Sequence, residues 1–183
     1  KDEAVVDASV VASDIPHNTP QQLMSKLIAD FSKYKSQLEQ LVSNGQEIPR
    51  EQTRLRPPLP RPPRLVCMAG NYMESGTLSQ PNPISAFNKS SSTIIGDGDV
   101  ITIPASDARI FNHEAELAII IGKTADKVSE ENAYDYIFGY SNIVDVSHRG
   151  KTDDGNRHNF FDGKSFDTFG PLGPSIVTAD EVD

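Results

Sequence analysis

The chain has 183 residues, 37% of them hydrophobic and 23% charged, which is enough for one domain with a small appendage. Its net charge of −9 disfavours a nucleic-acid partner, because phosphate binding relies on clustered Lys and Arg. No apolar run approaches the length of a membrane span, so we expect no membrane partner. The single cysteine, Cys67, cannot form an internal disulfide, so nothing calls for an oxidising compartment and we expect a cytoplasmic protein.

Residues 1–63 predict a small helical region followed by a proline-rich linker. Thr19 and Pro20 are suited to the N-cap and the first position of a helix, and Gly45 is suited to its end. Apolar residues at steps of three and four predict one amphipathic helix between them: Leu23, Leu27, Phe31, Tyr34, Leu38 and Leu41. Five prolines within residues 57–63 predict a stiff domain boundary, with an SH3 or WW ligand as the alternative.

Residues 64–183 predict a domain of short strands joined by Gly and Pro turns. The expected strands are Leu65–Met68, Val100–Ile103, Phe111–Ile121, Tyr140–Val146 and one beginning at Ile176–Val177. A short helix should begin at Ser129 and run towards Phe138. Strands outnumber helices, so we expect a mainly β fold of the α+β class.

Two glutamates stand at the leading end of an apolar strand. Glu114 and Glu116 precede the run Leu117–Ile121, and side chains two apart on a strand point to the same face, about 7 Å apart. Buried carboxylates are costly unless they are paired, hydrogen-bonded or bound to a cation. A bound cation is therefore our leading interpretation, and an edge strand whose glutamates face water is the alternative.

Asp145 lies inside another apolar strand and offers a third oxygen ligand. Three carboxylates form the set that a hard cation such as Mg²⁺, Mn²⁺ or Ca²⁺ prefers, provided that the fold brings Asp145 beside the glutamates. Lys164 is a candidate for stabilising a developing oxyanion or enolate, although a lone lysine is more often a solvated surface charge. His148 and His158 are candidate bases, with plain surface residues as the alternative.

Six short segments between Leu65 and Asp183 form an ordered set of motifs. They are Gly70–Tyr72, Phe87–Ser90, Ile94–Asp99, Glu114–Ala118 with Ile121–Gly122, Gly139–Tyr140 with Asp145, Ser147 and Arg149, and Gly163–Phe169 with Pro171–Pro174. In this order they resemble the fumarylacetoacetate hydrolase family. Singly, the E-x-E pattern is weak, whereas Glu114–Ala118 together with Gly163–Phe169 is specific.

The resemblance implies twisted, rolled mixed β-sheets and a homodimer that binds a divalent metal, Mg²⁺ by first expectation and Mn²⁺ or Ca²⁺ otherwise. By the family pattern the metal ligands would be Glu114, Glu116 and Asp145. Lys164 would be the catalytic cation, and Arg149 and Tyr72 would bind a small keto-acid substrate. The implied reaction is C–C hydrolysis of a 2-oxo or 1,3-diketo acid through a metal-stabilised enolate. An isomerase (tautomerase) or decarboxylase of the same family is the alternative, and a catalytically silent dimerising relative is an alternative of another class.

Three departures from the family pattern bear on the reaction. Family hydrolases usually carry a histidine in the lid segment after Asn-Tyr, and here Ser75 takes its place beside Glu74. The family's Asn before the metal-binding Asp is Val144. The family domain normally continues beyond the residues present here, so we expect the chain to be incomplete at its C-terminus relative to the family. The missing histidine removes the usual water-activating base.

Overall fold

The structure is a computed structural model that describes residues 4–72, 79–105, 110–149 and 159–182. The strands are β1 (Ala4–Val6), β2 (Glu47–Pro49), β3 (Val66–Met68), β4 (Ala86–Asn88), β5 (Ile94–Ile95), β6 (Ile110–Ile121), β7 (Ile137–Arg149) and β8 (Gly170–Thr178). The helices are α1 (Ser9–Ser13), α2 (Pro20–Ala29), α3 (Phe31–Asn44) and α4 (Phe160–Lys164), with short 3₁₀ turns between elements. Among the described residues eight strands outnumber four α-helices, which confirms the α+β class.

A four-stranded mixed sheet in the order β5–β8–β7–β6 carries the long strands. β5 runs parallel to β8, and the other two pairings are antiparallel. Two smaller antiparallel ladders, β1–β2 and β3–β4, complete the described strands. β6 is an edge strand, and its register with β7 places Glu114 opposite Asp145. This long-range pairing positions the candidate site.

The N-terminal helical region differs from the prediction in one respect. Thr19 caps α2 by accepting a hydrogen bond from the Gln22 amide at 3.1 Å, and α3 ends before Gly45, as the sequence predicts. The predicted single helix is wrong, however, because it breaks at Asp30 into α2 and α3. The break redirects α3, whose first residue, Phe31, packs edge-to-face on Phe138 of β7 with ring centroids 5.0 Å apart.

The proline-rich segment packs on the main core. Leu59, from this segment, and Ile28, from α2, are buried in one hydrophobic cluster. This cluster packs both the proline-rich segment and α2 against the central sheet. The cluster's other buried members are Ile94, Ile120, Ile143 and Leu172. A second cluster around Val11, Ile15 and Tyr34 holds the N-terminal helices together. The boundary between residues 1–63 and 64–183 stays a prediction.

Two predicted elements take another form. Residues 100–103, all of which the structure describes, form no strand, so that prediction is wrong. The Thr102 amide donates to the Thr168 hydroxyl at 2.8 Å instead of to a neighbouring strand. The helix expected from Ser129 is a 3₁₀ helix, Glu130–Tyr136, that leads directly into β7. Within the described part of the chain, no helix has the length and apolarity that crossing a membrane requires.

Candidate metal centre and active site

Three carboxylates converge on one face of the β6–β7 ladder. Glu114 and Asp145 are paired in the register, and Glu116 is two residues along the same strand, so all three side chains point to the same side. One oxygen from each lies within 4.8 Å of the others. Asp145 is 1% exposed, and the two glutamates are partly buried. The alternative interpretation, in which both glutamates face open water, is therefore wrong.

Lys164 lies among these carboxylates. It is the last residue of α4, a helix capped by Asn159, whose side chain accepts from the Asp162 amide. The Lys164 ammonium donates to Glu114 Oε2 at 2.8 Å and to Asp145 Oδ2. The Phe87 ring lies 5.4 Å from the same ammonium. Lys164 is buried, so the alternative interpretation of Lys164 as a solvated surface lysine is wrong.

Lys89 is a second buried ammonium at the site. It belongs to the Phe87–Ser90 motif, but no role was predicted for it. It follows β4, and its side chain is 0% exposed. The ammonium donates to Asp145 Oδ1 at 2.6 Å and to the Val146 carbonyl at 3.2 Å. Asp145 therefore accepts a different lysine on each of its two oxygens. The place of Lys89 in the Phe87–Ser90 motif marked this lysine in the sequence, but nothing in the local sequence predicts that it is buried against Asp145.

The carboxylates differ in their electrostatic surroundings. Burial raises the pKa of Glu116, and the negative charge of Asp145 raises it further. Burial also acts to raise the pKa of Glu114, but the hydrogen bonds and charges of Lys164 and Arg149 outweigh it, so that the pKa is lowered. Burial acts to lower the pKa of Lys164, and its bonds to Asp145 and Glu114 raise it overall. Glu116 has no ion pair within the described residues, which leaves its carboxylate available to another cation.

The two residues expected to bind substrate occupy different surroundings. Arg149, at the end of β7, donates to Glu114 Oε1 at 2.8 Å and is mostly exposed, so it stands at the outer rim of the site. Tyr72 is 58% exposed and makes no contact with the carboxylates among the described residues. It immediately precedes Met73–Leu78, the predicted lid segment, which lies outside the described residues.

His148, the candidate base that the structure describes, points away from the carboxylates. His148 alternates with Ser147 on β7 and therefore points to the opposite face from Asp145. Its ring packs between Phe111 and Phe166, with centroids 5.3 and 5.4 Å away. His148 is buried, so the alternative of a plain surface residue is wrong too. His158, Glu74 and Ser75 lie outside the described residues.

The donor set fits a hard divalent cation. Oxygens that share one ion lie at most two metal–oxygen bond lengths apart, about 4.2 Å for Mg²⁺ and about 5 Å for Ca²⁺. The Glu114, Glu116 and Asp145 oxygens lie within 4.8 Å of one another, which meets the Ca²⁺ limit and exceeds the Mg²⁺ limit by at most about 0.6 Å. All three are carboxylates, the ligand type that Mg²⁺, Mn²⁺ and Ca²⁺ share. The Lys164 ammonium already pairs with two of these carboxylates, Glu114 and Asp145. A divalent ion would therefore share both of them with Lys164.

Curated relatives of the chain include proteins that are named as enzymes. At 38% identity over 146 residues it matches a mitochondrial oxaloacetate tautomerase of Xenopus laevis, covering 78% of this chain and 45% of the relative. An oxaloacetate tautomerase of Bacillus subtilis is 36% identical over 133 residues, covering 69% of this chain and 43% of the relative. The chain thus spans a little under half the length of these two curated relatives.

A solved structure of another enzyme is also similar to the chain. The maleylpyruvate hydrolase of Sphingobium sp. SYK-6, crystallised with manganese(II) and pyruvate, superposes with a TM-score of 0.83 at 33% identity, covering 99% of this chain and 63% of that one. The family model for the fumarylacetoacetate hydrolase C-terminal region matches residues 64–183. These residues include the three carboxylates, both buried lysines and Arg149. The chain belongs to the fumarylacetoacetate hydrolase family.

Proposed function

We propose that the protein is a divalent-metal-dependent enzyme that acts on a small 2-oxo or 1,3-diketo acid by forming an enolate. The observation that carries the proposal is the convergence of Glu114, Glu116 and Asp145 within 4.8 Å around buried cationic partners. A catalytically silent binding protein is the rival of another class. It has no use for three partly desolvated carboxylates on one face, because desolvating like charges is unfavourable without a function or a cation to offset it.

The three carboxylates would hold the metal. When bound, a divalent ion would supply Lewis-acid stabilisation of the negative charge that develops on substrate oxygens. Glu116 is the ligand without a competing ion pair among the described residues. Glu114 is shared with Arg149 and Lys164, and Asp145 is shared with both lysines. The manganese in the Sphingobium hydrolase supports this assignment of the site to a divalent metal.

Lys164 would stabilise the enolate oxygen. Removing a proton beside a keto group, or breaking the adjacent C–C bond, leaves an electron pair that is delocalised onto the keto oxygen. An ammonium that is already fixed by two carboxylates can hydrogen-bond to that oxygen with little reorganisation. Arg149, at the exposed rim, is placed to receive the carboxylate of a keto acid through its planar guanidinium.

Tautomerisation between the keto and enol forms is the reaction that the described site supports best. It needs an enolate-stabilising centre and proton exchange, whereas C–C hydrolysis also needs a base that activates water. The carboxylate face of the β6–β7 ladder carries no histidine, and Ser75 stands at the family's lid-histidine position. The oxaloacetate tautomerases among the relatives support the same choice. Hydrolysis is the second candidate, supported by the TM-score of 0.83 with maleylpyruvate hydrolase.

The metal proposal is tested by titrating the purified, chelator-treated protein with Mn²⁺ in a calorimeter. Glu116→Gln removes one ligand charge and breaks no ion pair of the described residues, so the fold should persist while Mn²⁺ affinity falls at least tenfold. Glu130→Gln, on the exposed 3₁₀ helix, is the matched control and should bind like wild type. Equal affinity in Glu116→Gln and wild type would contradict the assignment.

The reaction is tested by supplying oxaloacetate, an acylpyruvate and a dienedioate side by side with Mn²⁺. Loss of the enol absorbance of oxaloacetate without pyruvate release indicates tautomerisation. Pyruvate release from the acylpyruvate indicates hydrolysis. Pyruvate formed from oxaloacetate indicates decarboxylation. Activity on none of the three substrates, in protein that binds Mn²⁺, would favour the silent relative.

A further inference from the structure

We infer that Lys89 is a positioning residue that orients Asp145 for metal binding. The inference rests on the proposed function, and it concerns a residue that touches neither the substrate nor the metal. Lys89 donates to Asp145 Oδ1 at 2.6 Å, while the other oxygen, Oδ2, accepts from Lys164, which also donates to Glu114. Lys89 thereby fixes the carboxylate's rotation and leaves one defined oxygen for the metal.

The ammonium of Lys89 is itself firmly placed. The Lys89 amide donates to the Leu65 carbonyl at 2.9 Å, which extends the β3–β4 ladder by one residue pair. Its ammonium has a second anchor at the Val146 carbonyl, 3.2 Å away. With its side chain 0% exposed, no water competes for these bonds. Lys89 is thus fixed at its backbone amide and at its ammonium, so its side chain is suited to fixing the orientation of the Asp145 carboxylate.

The same framework reaches Lys164. The residue after Lys89, Ser90, donates its amide to the Ser165 hydroxyl at 3.0 Å, and Ser165 follows Lys164 directly. The β3–β4 ladder also supplies Phe87 beneath the Lys164 ammonium, and Phe87 stacks on Phe160 of α4 with centroids 5.0 Å apart. The ladder therefore contacts both Asp145 and α4, through Lys89, Ser90 and Phe87.

Two physical effects of Lys89 act in opposite directions on metal affinity. Its positive charge near the carboxylates repels a divalent ion, so removing the charge alone would tighten metal binding. Its hydrogen bond fixes the ligand, and loss of such an outer partner typically weakens metal binding or activity by about 10–100-fold. The sign of the change separates a positioning role from a charge effect.

The test compares Mn²⁺ binding by calorimetry in chelator-treated wild type, Lys89→Met and Lys89→Gln, with Lys123→Met as an exposed control. We expect Lys89→Met to lose about 10–100-fold in Mn²⁺ affinity. Lys89→Gln keeps an N–H donor for Asp145 Oδ1 and should lose less. The control should not change. At saturating Mn²⁺, kcat of Lys89→Met should fall more than KM rises, because substrate contacts are intact.

Each outcome is decisive. Unchanged or tighter Mn²⁺ binding in a folded Lys89→Met protein, with wild type binding normally, would overturn the positioning role and leave the proposed function standing. Equal losses in Lys89→Met and Lys89→Gln would overturn it too, because only Lys89→Gln keeps a donor. Failure of wild type to bind Mn²⁺ would overturn both. If Lys89→Met does not fold, as judged by circular dichroism, Lys89→Ala, which also lacks the donor, is compared with wild type and Lys89→Gln in its place.

Discussion

Replacing Asp145 with Asn should destabilise the metal-free protein strongly. The substitution keeps the size of the side chain and removes the charge that faces two lysines. Lys89 would then be a buried ammonium with only neutral acceptors, the Val146 carbonyl and at most the new amide oxygen, whereas Lys164 keeps the charged Glu114 at 2.8 Å. Removing one partner of a buried ion pair costs about 3–5 kcal/mol. For a chain of this size that corresponds to a fall in Tm of about 6–20 °C.

The assay is urea or thermal unfolding in the presence of EDTA, so that metal binding does not contribute to stability. Asp97→Asn is the matched control, because Asp97 pairs with Arg50 at 2.7 Å on the surface, where such pairs are worth at most about 1 kcal/mol. The double variant Lys89→Met with Asp145→Asn restores local neutrality and should be less destabilised than the sum of the single variants. An Asp145→Asn protein within about 1 kcal/mol of wild type, or strictly additive losses, would refute the buried charge pairing.

Two further predictions concern titrating groups outside the carboxylate cluster. Burial, followed by the charge of Asp145, raises the pKa of Cys67 to about 11. The Cys67 thiol should therefore react with iodoacetamide at pH 8 far more slowly in the folded protein than in urea-unfolded protein. Equal reaction rates in the two states would show that the thiol is accessible in the fold. Because this folded-state pKa lies above the unfolded value, the contribution of Cys67 to stability should be present below pH 9 and lost as the pH rises through 11. The hydrogen bond from Lys35 lowers the pKa of Asp180 to about 2, and Lys35→Met should return it towards 3.8 in a carboxyl NMR titration. The linked stability should be present above pH 3.8 and lost as the pH falls through 2, and an Asp180 pKa that is unchanged in Lys35→Met would contradict the pairing.

Local features of the fold could be predicted from the sequence because they depend on neighbouring residues. The cap at Thr19, the end of α3 at Gly45 and the end of β6 at Gly122 follow from the chemistry of single positions. The sequence missed the break at Asp30, where the apolar spacing continues through two helices. It also overpredicted a strand at residues 100–103, since an apolar run forms a strand only when another strand pairs with it.

The candidate site divides in the same way. Spacing alone put Glu114 and Glu116 on one face of a strand, and the ordered family motifs added Asp145 and Lys164. Only the register between β6 and β7 brought Asp145 opposite Glu114 and turned His148 to the other face. Side-chain alternation is a local property, whereas register is set by contacts between residues far apart in the chain.

Lys89 is the residue that only the tertiary structure could assign. In the sequence it is one residue of the Phe87–Ser90 motif, and nothing near it indicates burial against Asp145. Its role depends on a ladder formed by β3 and β4 that folds against a strand 56 residues further along the chain. By itself the sequence determined which carboxylates are available for a metal. The tertiary structure decided which cations face them, because burial and pairing are properties of the packed chain.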